Sequence, residues 1–382
     1  MNYSKLGNIE AICLIIVIFV NHIVLNLPQM ILNNSGNASI LNTIYILILV
    51  LLFAMLILKL LKKFIGLDII DISEYLGGKP LKILIGVLCI IYLIFETVFL
   101  TRMFSQNLLL VYFPSYPISF ILFLFLFIGV VANIIGRKSI IKTNTIIVPI
   151  ALFSILFTFI FVADMLRIER SLPIFDNGLD KIFLSGASNI FAFNGIFFLF
   201  FISPLLNKKE DTSKVTFWSV LICGIFLILS IAILIFAFSD ISSVSRFAPI
   251  YFIIINSRLS AFLERPEAIF IFIWTLALMS FINIAVMFVL NIFKKLTNIK
   301  EPKYLAISVC TIIFVLAMLM NNIFNFESIA NAFYKYGTLV LIFGIFTIIL
   351  VFANIKKRKN KNIFENKELE NSNSKSQTNE DK

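Results

Sequence analysis

Residues 20–30 read V-N-H-I-V-L-N-L-P-Q-M and lie inside the first long apolar run of the chain. Two asparagines, a histidine and Pro28 suit a continuous helix in hydrocarbon poorly, because polar groups lose their water there and proline removes a backbone donor. Such an interruption is tolerated where neighbouring helices or a water-filled cavity satisfy the freed polar groups. The stretch therefore predicts a broken helix beside a small-ligand site near the membrane midplane.

The composition of the rest of the chain is that of an integral membrane protein. Of 382 residues, 60% are hydrophobic and 14% are charged, whereas soluble domains are about half apolar and about a quarter charged. The net charge of +11 does not indicate nucleic acid binding, because the basic residues lie in short connections between apolar runs, where they orient membrane helices. All four cysteines fall inside apolar runs without metal-binding spacing, so we expect small buried side chains.

Apolar windows of about 20 residues, the length that crosses roughly 30 Å of hydrocarbon, recur along the chain. They predict an all-α protein with ten transmembrane helices, near residues 9–32, 40–61, 82–111, 118–136, 143–165, 186–206, 215–239, 267–292, 303–322 and 333–354. Lys and Arg are concentrated in alternate connections, which predicts that both termini are cytoplasmic. Residues 1–355 are predicted to form one polytopic membrane domain, and the polar, lysine-rich residues 356–382 a disordered tail.

Ten spans with both ends on one side can form two halves of five with opposite orientation, here about 9–165 and 186–354, as in LeuT-type transporters. The counterpart of helix one is then helix six, which begins G-A-S-N-I-F-A-F-N-G at residues 186–195. Interruptions at corresponding positions of such halves indicate a transporter binding site. Ordinary packing of small and polar residues between membrane helices explains the same pattern equally well.

If both helices are broken, free backbone amides at the breaks could bind a ligand carboxylate. Glu96, near the predicted centre of helix three, is costly to bury alone. We therefore expect it to pair with a ligand amino group, to take part in proton coupling, or to be protonated and hydrogen-bonded to a neighbouring helix. His22, the one histidine of the chain, is either a hydrogen-bonded packing residue or a proton switch. The predicted ligand-binding residues are Asn21, His22, Ile23, Val24, Leu25, Asn26, Glu96, Phe193, Asn194 and Gly195.

A second set of residues is predicted to be structural or to gate the site: Pro28, Arg102, Glu264, Arg265, Glu267 and Trp274. Arg102 is six residues beyond Glu96, which is not a same-face spacing, and snorkelling to headgroups is its simplest interpretation. The stretch E-R-P-E at residues 264–267 also suits a helix start, since proline favours the first helical position and glutamate the first turn. No partner set for catalysis or metal binding surrounds His22, so we predict no catalytic residue, metal or cofactor.

Several motifs, taken in order, resemble the spore germination permease family, the B subunit of nutrient germinant receptors within the amino acid–polyamine–organocation superfamily. They are L-N-L-P (25–28), I-S-E-Y-L-G-G-K-P-L-K (72–82), L-V-Y-F-P-S-Y-P (110–117), L-P-I-F-D-N-G (172–178) and F-L-E-R-P-E-A-I-F-I-F-I-W (262–274). The resemblance covers about residues 5–355. Family members often have glycines where helix one unwinds, and this chain has Asn21, His22 and Ile23 there instead.

The resemblance implies a LeuT-like fold in the inner membrane of a spore, with a small nutrient, usually an amino acid, as the ligand. It also implies two partner subunits, a large membrane subunit with soluble domains and a lipoprotein. One function is therefore a receptor subunit in which binding biases one conformation and triggers germination. The alternative is a secondary transporter of amino acids or related small molecules. An enzyme is disfavoured, because no catalytic constellation is present.

Overall fold

The computed structural model describes residues 5–25, 27–64, 66–173, 178–206, 211–238, 250, 253–254, 266–320 and 323–358. Within these residues the regular structure is helical, apart from one isolated parallel bridge between Leu6 and Leu206. Of the predicted site residues, Asn26, Glu264 and Arg265 lie outside this part of the chain, as do residues 359–382 of the predicted tail.

Six α-helices lie in the described residues of the first half of the chain. They are α1 (Asn8–Val24), α2 (Leu27–Ser35), α3 (Ser39–Leu61), α4 (Ile69–Val111), α5 (Ile118–Ile135) and α6 (Arg137–Phe161). Helix α4 begins earlier than the predicted span because the Asp68 side chain accepts hydrogen bonds from the backbone N–H groups of Ile70 and Asp71, which caps the first turn. It bends at Gly78, whose φ of 72° is readily available to glycine only.

The second half begins with α7 (Gly178–Phe183), a 3₁₀-helix (Gly186–Phe198) and α8 (Leu199–Ile202). It continues with α9 (Thr212–Ala237), α10 (Pro266–Thr297), α11 (Ala306–Leu319) and α12 (Ile323–Ala332). Two π-helical stretches, Phe333–Gly337 and Leu339–Phe346, extend α12 into a helical segment that reaches Arg358. The first residues of the predicted tail are therefore helical.

Eight helical segments of the described chain are long and apolar enough to cross a membrane. Asn8–Val24 and Gly186–Ile202 are apolar but shorter. Large apolar side chains such as Leu52, Phe127 and Phe153 are exposed on the outer helices, as expected for surfaces that face lipid. The chain is thus a multi-pass membrane protein, and each predicted window overlaps a helical segment.

The two shorter segments lie at the centre of the bundle. Helix α1 is buried on every side from Cys13 to Val24, which is typical of a helix enclosed by other helices. The 3₁₀-helix approaches it so closely that a Cβ atom on Gly195 would lie 2.5 Å from the backbone oxygen of Ile15. Helices α3, α6, α9 and α10 pack against this pair, and α9 and α10 bury more than half of their apolar windows.

An asparagine network fixes the start of the 3₁₀-helix against α2 and α3. The Asn189 side chain donates to Asn42 Oδ1 at 2.7 Å and to Ser35 Oγ at 3.3 Å, and its own oxygen accepts from Asn34 Nδ2 at 2.7 Å. Because these buried amides satisfy one another, they join the two halves of the chain without a ligand.

Candidate functional site

Both central segments are interrupted, and the first interruption is narrower than predicted. Asn21 to Val24 remain helical, and the backbone leaves helical geometry at Leu25 (φ −76°, ψ −92°). Pro28 is the second residue of α2, in the first turn, where the missing N–H costs no hydrogen bond. In the 3₁₀-helix the interruption is at Phe193 (φ −97°, ψ 37°), whose ring stacks on Phe19 of α1 with centroids 5.8 Å apart.

Glu96 of α4 is the point at which the two interrupted segments meet a third helix. Its Oε1 atom lies 2.8 Å from Nε2 of His22 and accepts a 2.5 Å hydrogen bond from Nδ2 of Asn194. The Glu96 residue is only 1% exposed, so this carboxyl group is removed from solvent. An ionised Glu96 requires His22 to donate through Nε2, because a carboxylate can only accept. The site therefore joins α1, α4 and the 3₁₀-helix through one oxygen atom.

Aromatic side chains from α4 and from the last helix enclose this centre. The His22 ring stacks on Tyr334 with centroids 4.0 Å apart, and Tyr334 meets Phe191 edge to face at 5.3 Å. One turn before Glu96, the Tyr92 ring stacks on Phe197 at 5.2 Å, and its hydroxyl lies 3.1 Å from Oγ1 of Thr338. Tyr334 lies in the first π-helical stretch of the last helix, and Thr338 lies between the two stretches. Short π-helical stretches are common at functional sites.

Three buried polar atoms around Glu96 have no hydrogen-bond partner within the described residues: His22 Nδ1, Asn194 Oδ1 and the Tyr334 hydroxyl. An unsatisfied buried polar group costs about 1–3 kcal/mol. A polar molecule that enters between these helices could therefore donate to Asn194 Oδ1. It could also donate to or accept from the Tyr334 hydroxyl, and it could bond to the free imidazole nitrogen of His22.

The other predicted ligand-binding residues have packing roles in this structure. Asn21 Nδ2 donates to the carbonyl of Val17 at 2.8 Å and to that of Ala277 in α10 at 3.2 Å, which ties α1 to α10. Ile23, Val24 and Leu25 are buried in the apolar core. Gly195 permits the close approach of two backbones.

Of the predicted structural or gating residues, Arg102 departs from its simplest interpretation. It is 5% exposed and its Nη1 atom is buried, so most of the side chain lies among the helices. Trp274 is buried in α10 beside Phe270, with ring centroids 5.7 Å apart. Glu267 lies in the first turn of α10, immediately after Pro266, as the helix-start interpretation of this stretch predicts.

A second polar cluster, which no sequence motif predicted, lies at the N-terminal end of α4. Lys295 Nζ is 2.5 Å from Oδ2 of Asp68 and 2.7 Å from Oδ2 of Asp71. Burial, reinforced by the neighbouring Asp71 charge, raises the pKa of Asp68 to about 6, although Lys295 opposes the shift. Asp68 and Lys295 line a small cleft, which Arg137 and Asn291 also border. The signal available in the sequence was the D-I-I-D stretch at residues 68–71.

Within the described part of the chain, no group of three or more His, Cys, Asp or Glu side chains is placed to hold a metal ion. Cys13, Cys89, Cys223 and Cys310 are buried free thiols, as the sequence predicts.

Comparison with known proteins gives two findings. A family model described as "spore germination protein" matches residues 5–326. Among solved structures, the fold is similar to that of a Na⁺-coupled sialic acid symporter in a substrate-bound, outward-open state, with a TM-score of 0.58 and 12% sequence identity over 88% of this chain and 78% of the symporter. No curated protein sequence matches the chain.

Proposed function

Because the chain belongs to the family of spore germination proteins, we propose that it is the membrane subunit of a nutrient germinant receptor. In this proposal it binds a small nutrient, an amino acid, between its two interrupted segments. It then triggers germination together with two other subunits, a large membrane subunit with soluble domains and a lipoprotein. Its place would be the inner membrane of the spore.

The observation that carries this proposal is the convergence of His22 and Asn194 on a single oxygen of Glu96. A ligand ammonium group that binds Glu96 competes with both side chains for that oxygen. Binding would therefore loosen the attachment of α1 and the 3₁₀-helix to α4, and a ligand shifts a conformational equilibrium only through such a difference between states. This mechanism gives Glu96 the direct ligand role and makes His22 and Asn194 the groups that report occupancy.

The proposal includes ten transmembrane helices arranged as a 5+5 inverted repeat with both termini in the cytoplasm. The two shorter apolar segments, Asn8–Val24 and Gly186–Ile202, correspond to the first span of each proposed half. Interruptions at Leu25 and Phe193 in these segments support the repeat, since discontinuous helices at corresponding positions are typical of such transporters.

A secondary transporter of amino acids or related small molecules is the second candidate function. The fold shared with a Na⁺-coupled symporter favours it. Both candidates would use the same pocket, but a transporter would move the ligand across the membrane by alternating access. Uptake of radiolabelled amino acids by proteoliposomes that contain only this protein would support transport, whereas binding without uptake would support the receptor subunit.

A germination assay tests the receptor function directly. Spores that carry the chain with Asn194→Leu should lose nutrient-triggered germination, or need at least about tenfold more nutrient, because leucine cannot transmit the occupancy of Glu96 to the 3₁₀-helix. Asn133→Leu is the matched control, since Asn133 is also a buried asparagine that donates to two carbonyl oxygens, of Gly129 and Asn283, away from the site. Immunoblots of spore membranes must show equal amounts of both variants. An unchanged dose response for Asn194→Leu would exclude Asn194 from the site.

A further inference from the structure

Arg102 is a buried cation for which the described residues provide no counterion. Its Nη1 atom is buried without a hydrogen-bond partner, and the whole residue is 5% exposed. By contrast, Lys295 contacts two carboxylates, and Arg170 donates to the carbonyl groups of Met165, Phe236 and Ala237. An unpaired charge among membrane helices is costly, and such residues mark ligand or ion pathways.

Two hydroxyl groups beside Arg102 are unsatisfied in the same way. Thr101 and Ser105 are fully buried, and neither side-chain oxygen has a partner within the described residues. Thr97, one turn earlier on α4, instead donates to the carbonyl of Leu93 at 2.7 Å, as most buried hydroxyls of these helices do to their own preceding turn. Ser105 is four residues after Thr101 and three after Arg102, so its side chain neighbours both of them on the helix surface.

We propose that Arg102, Thr101 and Ser105 form a subsite that binds the carboxylate group of the nutrient. The inference rests on the proposed function, because it names the chemical class of the ligand for the same site. A guanidinium group and two hydroxyl groups all donate, and a carboxylate accepts on two oxygens and supplies the missing negative charge. A neutral or cationic group would leave the charge of Arg102 uncompensated.

The subsite lies beyond Glu96 along α4 and on a different side of the helix. Arg102 is six residues beyond Glu96, about 9 Å along the helix axis, and Glu96 is already engaged by His22 and Asn194. Phe99, between Glu96 and Arg102 in sequence, packs its ring against Phe333 at 5.4 Å, so this side of α4 faces the last helix, which also carries Tyr334.

Ligand-induced stabilisation of the purified full-length protein tests the inference. Thermal unfolding is measured with each of the standard L-amino acids and with the primary amide of each, which keeps the ammonium group and removes the carboxylate. For any compound that stabilises the protein, the free acid should bind about 10- to 100-fold more tightly than its amide. In Arg102→Gln that difference should disappear, with the affinity of the amide unchanged, because only the carboxylate contact is lost.

A pair of matched variants keeps the test decisive if Arg102→Gln fails to fold. Thr101→Val should weaken binding of the free acid, whereas Thr97→Val, an identical change one turn away at a hydroxyl that is already bonded, should not. Equal affinities for acid and amide, or equal losses for both in Arg102→Gln, would overturn the inference and leave the proposed function intact. If no acid and no amide stabilised the protein, the proposed function itself would fail, and the inference with it.

Discussion

At the scale of single residues, the buried carboxyl group of Glu96 dominates the chemistry of the protein. A carboxylate taken out of water costs several kcal/mol unless it is paired and hydrogen-bonded. His22 and Asn194 supply those partners from two different segments. In the proposed function the same three residues join the helices and present a carboxyl group to the ligand, so one substitution can separate the two roles.

Glu96→Gln is that substitution. The amide oxygen of glutamine can still accept from Asn194 and from a protonated Nε2 of His22, so we expect the midpoint of thermal unfolding to change little. The negative charge is lost, and nutrient-triggered germination should therefore need at least about tenfold more nutrient. Germination dose–response curves and thermal unfolding of the purified variant measure the two effects. Full germination activity in Glu96→Gln would end the hypothesis of an ionised acid.

Asp68 gives a prediction about pH. Its pKa is about 6 in the folded protein, against an ordinary value of 3.8. A carboxyl group whose pKa is raised by folding stabilises the fold below the unfolded value, and this contribution is lost as pH rises through the folded value. The stability of the wild type relative to Asp68→Asn should therefore fall between about pH 4 and about pH 6, because asparagine retains the helix cap but cannot titrate.

Thermal unfolding of both proteins across this pH range measures the difference. Glu301→Gln is a suitable control, since Glu301 is an exposed acid. A difference between wild type and Asp68→Asn that stays constant from about pH 4 to about pH 7 would contradict the raised pKa.

At the scale of elements, the close contact of α1 with the 3₁₀-helix depends on a missing side chain. Gly195→Ala would place a Cβ atom 2.5 Å from the backbone oxygen of Ile15, and backbone cannot move aside as a side-chain tip can. We expect a loss of about 1–3 kcal/mol in the free energy of unfolding, the usual cost of overpacking. Gly344→Ala is the control, because its Cβ would meet its nearest neighbour at 3.6 Å, an ordinary contact. Equal stability of the two variants in thermal unfolding would argue against the close approach.

Element positions were largely predictable from the sequence, and the contacts of the site were only partly so. Apolar windows locate the helices because hydrophobic length is a local property. Asn21 and His22 predict a break, but the helix continues through both residues. Their polar groups form hydrogen bonds with neighbouring helices, Asn21 with the carbonyl of Ala277 and His22 with Glu96. Tyr334 was missed, since its contact with His22 joins opposite ends of the chain and no local pattern encodes it.

At the scale of the whole molecule, the distribution of Lys and Arg predicts the orientation. Both termini should be cytoplasmic if the connections rich in basic residues stay inside. Fusing a protease-sensitive reporter to either end, in right-side-out membrane vesicles, should leave both reporters protected from added protease. A reporter inserted next to Glu169, in a connection on the predicted outer side, should be cleaved and serves as the control. Cleavage at one terminus alone would imply an odd number of spans.

The π-helical stretches of the last helix lie where that helix contacts the site. Each such turn holds one residue more than an α-helical turn, so converting it would advance everything beyond it by one residue, a rotation of about 100°. Tyr334 and Thr338 would then leave His22 and Tyr92 together. A slip of this register would therefore couple the surroundings of the buried carboxyl group to the helical residues that precede Arg358.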